Sequence, residues 1–193
     1  MVMEENLRRD LRIHITGASG AGVTTFGKAL ALRLGIQFFD TDDFYWKPTT
    51  PPYQEKFSIN ERQQNLLQAI QNFDSWIIAG SMDSWGGAII HLFQIVIFLY
   101  VPKYIRIQRL KQREFERYGK RIQPLGDMHE THNKFLEWAA QYDEGMREGR
   151  NKQRHEEWLK SLNCPFVRFD NDYSLDYLLS ETIFKLRNLN PSR

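Results

Sequence analysis

The segment Gly17-Ala18-Ser19-Gly20-Ala21-Gly22-Val23-Thr24-Thr25 leaves this chain few folds to choose from. Before it, residues 11–16 (LRIHIT) alternate apolar and polar, which predicts a strand. After it, Phe26, Leu30 and Leu34 recur at i, i+4 and i+8, which predicts a helix starting at Val23 and ended by Gly35. A glycine-rich turn between a strand and a helix lets successive backbone N–H groups curl around an anion, and the helix N-terminus adds partial positive charge. The spacing fits G-x-x-x-x-G-x-T, with the Thr24 hydroxyl placed to hold Mg²⁺. It does not fit G-x-G-x-x-G. A tight turn with no ligand is the competing reading. One residue departs from the pattern: a Lys belongs where Val23 stands. Lys28 lies more than a turn into the helix, on another face.

The rest of the chain alternates strand and helix. Strands are predicted at 36–39, 76–79, 95–101 and 165–169, and helices at 58–73, 103–118, 129–146, 150–162 and 175–186. Residues 1–10 read as a frayed polar end, 47–56 as a proline-rich loop and 119–127 as a basic loop. The 95–101 run is continuously apolar, as a strand buried on both faces of a parallel sheet should be. Together these predict α/β architecture with right-handed crossovers. A chain of 193 residues suits one domain. Its longest apolar run is far short of the roughly 20 residues a membrane helix needs, and the first residues lack a secretory apolar core. With a single cysteine, Cys164, a cytoplasmic protein is expected. A net charge of +2 gives no encouragement to nucleic-acid binding.

Asp40-Thr41-Asp42-Asp43 follows the second strand, where open parallel sheets gather ligands. A carboxylate there can take a proton from an acceptor hydroxyl, or can cap the next helix. Phe44, Tyr45, Trp46, Tyr53 and Phe57 crowd the same region, either stacking on an acceptor or packing a small core. Trp85-Gly86-Gly87 reads as a flexible wall of that region. His129 and His132 share a helix face, a spacing open to a metal but better read as a helix start capped by Asp127. Cys164 reads as a small buried apolar residue.

The pieces HITGASGAGVTT, FFDTDDFYW, SWIIAGS and FQIVIFLYVP, the last followed by an arginine-rich helix, occur in an order that resembles the P-loop small-molecule and nucleoside-phosphate kinases. That group includes adenylate kinase, shikimate kinase and the adenylate-kinase-like proteins labelled topology-modulation proteins. The resemblance implies a three-layer fold: a five-stranded parallel sheet of order 2-3-1-4-5 with helices on both faces. It implies one domain over 1–193, an acceptor-binding insertion at about 41–73 and a helical lid at about 114–150. It implies ATP and Mg²⁺, with phosphates held by Gly17, Ser19, Gly20, Ala21, Gly22, Val23, Thr24 and Thr25. The metal would lie near Thr24 and Asp40, and the acceptor near Asp40, Asp42, Tyr45 and Trp46. Asp42, Arg109 and Arg113 would carry the chemistry, Arg109 also touching the nucleotide. Arg117 and Arg121 would continue the basic face over the acceptor, Arg154 matches a later phosphate contact, and backbone near 170–172 borders the base. Related kinases often read W-I-I-D-G where this chain has Trp76-Ile77-Ile78-Ala79-Gly80, so a metal-side carboxylate is missing there; Asp83 is the nearest substitute.

Three functions follow in order of preference: transfer of the γ-phosphoryl of ATP to a small-molecule or nucleotide acceptor; nucleotide binding as a regulatory signal, favoured by Val23 and Ala79; and nucleic-acid binding through the arginine-rich helix.

Overall fold

Strands and helices alternate along the chain, and every strand runs the same way. The computed structural model describes residues 10–145, 149–170 and 172–188; residues 1–9 of the expected frayed end, Met146 and Asn171 lie outside them, while Asp10 accepts a bond from the Gln94 side chain. The order is β1 (Arg12–Gly17), α1 (Val23–Leu34), β2 (Gln37–Asp40), α2 (Asp42–Tyr45), α3 (Ile59–Ile70), β3 (Trp76–Ala79), β4 (Ile95–Leu99), α4 (Lys103–Tyr118), α5 (His129–Ala140), α6 (Lys152–Lys160), β5 (Phe166–Phe169) and α7 (Leu175–Asn188). The sheet order is β2-β3-β1-β4-β5, as the resemblance implied.

The apolar pattern explains the layering. β1 and β4 sit inside the sheet, and the apolar residues of both faces are buried. On one side Ile13, Ile15, Ile77 and Ile97 pack against Phe26 and Leu30 of α1 and Leu178 and Leu186 of α7. On the other, Trp76, Ile78, Val96 and Phe98 pack against Leu66 and Ile70 of α3 and Leu159 of α6. Side chains alternate across the sheet, so each strand feeds both cores. Gly35 ends α1 in the left-handed conformation. Ser58 and Glu61 exchange bonds in a capping box that starts α3.

Boundaries differ where local chemistry overrides periodicity. The helix expected over 129–146 stops at Ala140 and tightens into a 3₁₀ turn over Gln141–Glu144. The one expected from 150 begins at Lys152, because the Asn151 side chain accepts from the Arg154 amide and caps it. Asp42–Tyr45 forms a short helix the sequence did not announce. No helix among the described residues is long and apolar enough to cross a membrane.

Candidate functional site

Parallel pairing brings the ends of β1, β2, β3 and β4 to one edge of the sheet. The glycine loop and the Asp40–Asp43 stretch leave from that edge. Gly20 and Gly22 take φ of 82° and 88°, and no side chain caps α1, so the first-turn amides face the loop mouth uncovered by any cap. Gly20 has a second constraint: a Cβ there would lie 2.6 Å from the Arg106 carbonyl oxygen. The loop is therefore seated directly on the start of α4.

Thr24 donates its hydroxyl to Asp40 Oδ2 at 3.0 Å, and Asp40 Oδ1 accepts the Asp42 amide at 3.0 Å. This joins the first turn of α1, the end of β2 and the start of α2 through the Asp40 carboxylate, which accepts from the Thr24 hydroxyl and the Asp42 amide. The pair Thr24 and Asp40 suits Mg²⁺, which takes few protein ligands and completes its octahedron with phosphate oxygens and water. Among the described residues no cluster of three or more His, Cys, Asp or Glu offers an all-protein cage. Although Asp42 is exposed to solvent, its carboxyl is pushed above the usual range, first by desolvation and then by the Asp40 charge, while Arg150 and Arg113 pull it down. Thr41, not Asp42, is the N-cap of α2, and it makes no side-chain cap bond.

Ala79 is registered with Asp40 and fully buried, and a Cβ added to Gly27 of α1 would lie 3.0 Å from its own. That position packs against a helix, with no room there for a carboxylate shell. Asp83 is not a metal ligand in waiting: its side chain is buried, accepts from Ser81 at 2.7 Å and pairs with Arg154 at 2.7 Å. Arg154 is thereby occupied as well. Val23 turns toward the core packed on α1, its Cγ2 lying 3.1 Å from where a Gly17 Cβ would stand. Lys28 lies over the Phe38 ring.

The expected arginines of α4 share one stripe but differ in their partners. Arg109 pairs with Asp172 beyond β5, and Arg113 with Glu114; both line a groove of about 940 Å³ between α4 and α5, and no residue of the glycine loop lines it. Arg117 reaches the Tyr53 hydroxyl at 3.3 Å. Arg121 holds Asp127 at 2.7 Å, so Asp127 does not cap α5. His129 bonds the Ile122 carbonyl, and neither it nor His132 joins a metal cluster among the described residues. Tyr45 lies under the Arg62 guanidinium at 3.7 Å and beside Trp46 and Trp85. Trp85 is buried and donates to the Ser81 carbonyl, a fixed wall where a flexible one was expected. Cys164 is half-buried, and burial raises its thiol pKa.

Three functional candidates escaped the sequence reading. Arg106, fully buried one turn ahead of the expected arginines of α4, donates to the Ser19 carbonyl at 3.3 Å. Arg150, ahead of α6, donates to the Ser19 hydroxyl at 2.6 Å and stands in the field of Asp42 and Asp83. Arg62, nearly buried with its Nε bonded to nothing among the described residues, faces the same aromatic cluster.

Beneath the site, His14 is fully buried, stacked on Phe93, with Nδ1–H donating to the Ile78 carbonyl. Burial lowers its pKa from 6.5 to about 3, with the His155 charge lowering it further and the Ile78 bond and Asp83 raising it. The unfolded chain takes up this proton near pH 6.5 and the folded one does not, so stability is whole above that pH and falls as pH drops toward 3. From pH 7 to pH 5 this one group should remove about 2 kcal/mol. Urea unfolding across that range checks it; His14→Gln should flatten the dependence, and an equally steep curve for the variant would assign it elsewhere.

The shikimate kinase family profile matches residues 19–144. An uncharacterized protein of Bacillus subtilis, YqaC, is 39% identical over 176 residues, covering 87% of this chain and 97% of its own length. A shikimate kinase of Thermosynechococcus vestitus is 32% identical over 126 residues, 58% of this chain and 66% of that one. Among solved structures, a deoxyadenosine kinase of M. mycoides with products bound superimposes with a TM-score of 0.53 at 17% identity, over 92% of this chain and all of that one.

Proposed function

The chain belongs to the shikimate kinase family, and from that membership we propose that it moves the γ-phosphoryl of ATP to the hydroxyl of a small acceptor. What supports this reading is the contact from the Thr24 hydroxyl through the Asp40 carboxylate to the Asp42 amide, near the start of α1, where no side chain caps the helix. Phosphoryl transfer asks for positioning and charge neutralisation more than covalent chemistry. The loop amides would hold the phosphates of ATP. Mg²⁺ between Thr24 and Asp40 would neutralise developing charge on them. Asp42 would take the proton of the attacking hydroxyl. Arg109 would reach the nucleotide and Arg113 the phosphates, with Arg117 and Arg121 on a lid at about 114–150. The insertion at about 41–73, with Tyr45 and Trp46, would hold the acceptor. Arg62 over Tyr45 favours an acceptor bearing an anionic group, since a nearly buried guanidinium with an unbonded N–H seeks an oxygen acceptor.

A thermal-shift panel with ADP release tests this. ATP with Mg²⁺ at a hundred times its dissociation constant should stabilise by about 2.7 kcal/mol, a rise of roughly 5–10 °C for this size. ADP should then appear only with the right acceptor, hydroxy acids of the shikimate type tested against nucleosides and nucleoside monophosphates. No shift with any nucleotide would end the proposal. Val23 favours a second reading, a nucleotide-binding regulatory protein with little turnover. A shift without ADP release, followed by a large gain in Val23→Lys, would support that one.

A further inference from the structure

The loop has lost its own cation, yet a cation stands at its rim. Val23 occupies the lysine position and turns inward to the core. Ser19, the third residue of the loop, is held from two sides, its carbonyl by Arg106 and its hydroxyl by Arg150 Nη2 at 2.6 Å. Arg106 is spent: it is fully buried and ion-paired with Asp143. Arg150 is differently placed. No ion pair closes it off at short range among the described residues; it lies in the field of Asp42 and Asp83, and Asp83 is already committed to Arg154. Its guanidinium rests near the Trp138 ring at 5.7 Å, a contact that leaves its N–H edge available.

We propose that Arg150 replaces the missing loop lysine, contributing from a distant part of the chain the positive charge that grips the β- and γ-phosphoryl oxygens of ATP. This rests on the phosphotransferase reading and deepens it. The guanidinium is bonded to the loop rim at Ser19 and lies close enough to the candidate base Asp42 for the two charges to act on each other. Exchanging its hydroxyl partner for phosphate oxygens costs little reorganisation, because a serine hydroxyl is a neutral acceptor and a phosphate a charged, bidentate one.

The test compares wild type, Arg150→Met, Arg150→Lys, Val23→Lys and the double variant Val23→Lys/Arg150→Met. Dissociation constants for ATP and for AMP are measured by calorimetry, with melting temperatures of the free proteins and ADP release where an acceptor is known. Arg150→Met should weaken ATP at least tenfold while leaving AMP within about twofold, and slow turnover about a thousandfold, the scale of an arginine stabilising a transferring phosphoryl group. Its free melting temperature should stay within a few degrees. The Val23→Lys change should restore most of the lost ATP affinity in the double variant. ATP binding unaltered in Arg150→Met overturns the inference. So does a loss that neither Arg150→Lys nor the added Lys repairs, because a structural role predicts that pattern. Wild type that binds no ATP at all would instead remove the functional reading beneath it.

Discussion

Asp42→Asn should lower kcat by about a thousandfold while leaving the ATP dissociation constant within about threefold. The amide keeps the shape and the backbone bond to Asp40 Oδ1 but cannot accept a proton. A positioned base contributes typically 10² to 10⁴ in rate. The pH profile carries an independent signature. The Asp42 carboxyl is held above the usual carboxylate range by desolvation and by Asp40, so ionisation is completed at a higher pH than for a free aspartate. The base must be ionised to act; activity should therefore rise with pH through that displaced value and plateau above it. In the Asn variant this limb should vanish from the residual rate. Steady-state kinetics between pH 4 and pH 8, run with an acceptor that supports turnover, reads both. A variant within tenfold of wild type would leave Asp42 with no more than a favourable charge in the first turn of α2.

What was legible in the sequence and what was not divide along a physical line. The β1–loop–α1 unit could be read because glycine, threonine and the apolar stripe Phe26, Leu30 each act within a few residues of themselves. The sheet order came through the order of short motifs, and β4 through a continuous apolar run. Arg106 and Arg150 were invisible for opposite reasons. The buried face of α4 runs Arg106, Leu110, Glu114, so the stripe that should be apolar carries two charges, and counting arginines along the helix selects the exposed ones instead. Arg150 has no periodicity to read, and its partner Ser19 lies 131 residues away. Asp83 looked available because sequence shows a carboxylate but not the arginine and serine that take it up. The missing acid at Ala79 looked like a defect until its neighbour Gly27 showed that the position faces a helix.

Arg106→Ala should cost roughly 3–5 kcal/mol of stability, the range for breaking a buried charge pair by removing one partner. The side chain is fully buried, donates Nε to the Val101 carbonyl at 2.9 Å and Nη1 to the Ser19 and Ala139 carbonyls at 3.3 Å, and pairs with Asp143. Three carbonyls from three segments and one carboxylate lose their donor together, and each buried acceptor left bare adds its own desolvation penalty. The carboxylate share can be separated. Asp143 is only partly shielded, so adding Asp143→Asn should recover a fraction of the loss, and the carbonyl share should remain. Urea unfolding of wild type, both single variants and the double variant gives the cycle. Nucleotide affinity should move as well, because Arg106 fixes the Ser19 carbonyl while its own backbone packs closely against Gly20. Arg106→Ala keeps the second contact and loses the first, so ATP binding should weaken without vanishing. A variant as stable as wild type would mean that solvent reaches these carbonyls, and that the loop holds its shape on its glycines and the α4 backbone alone.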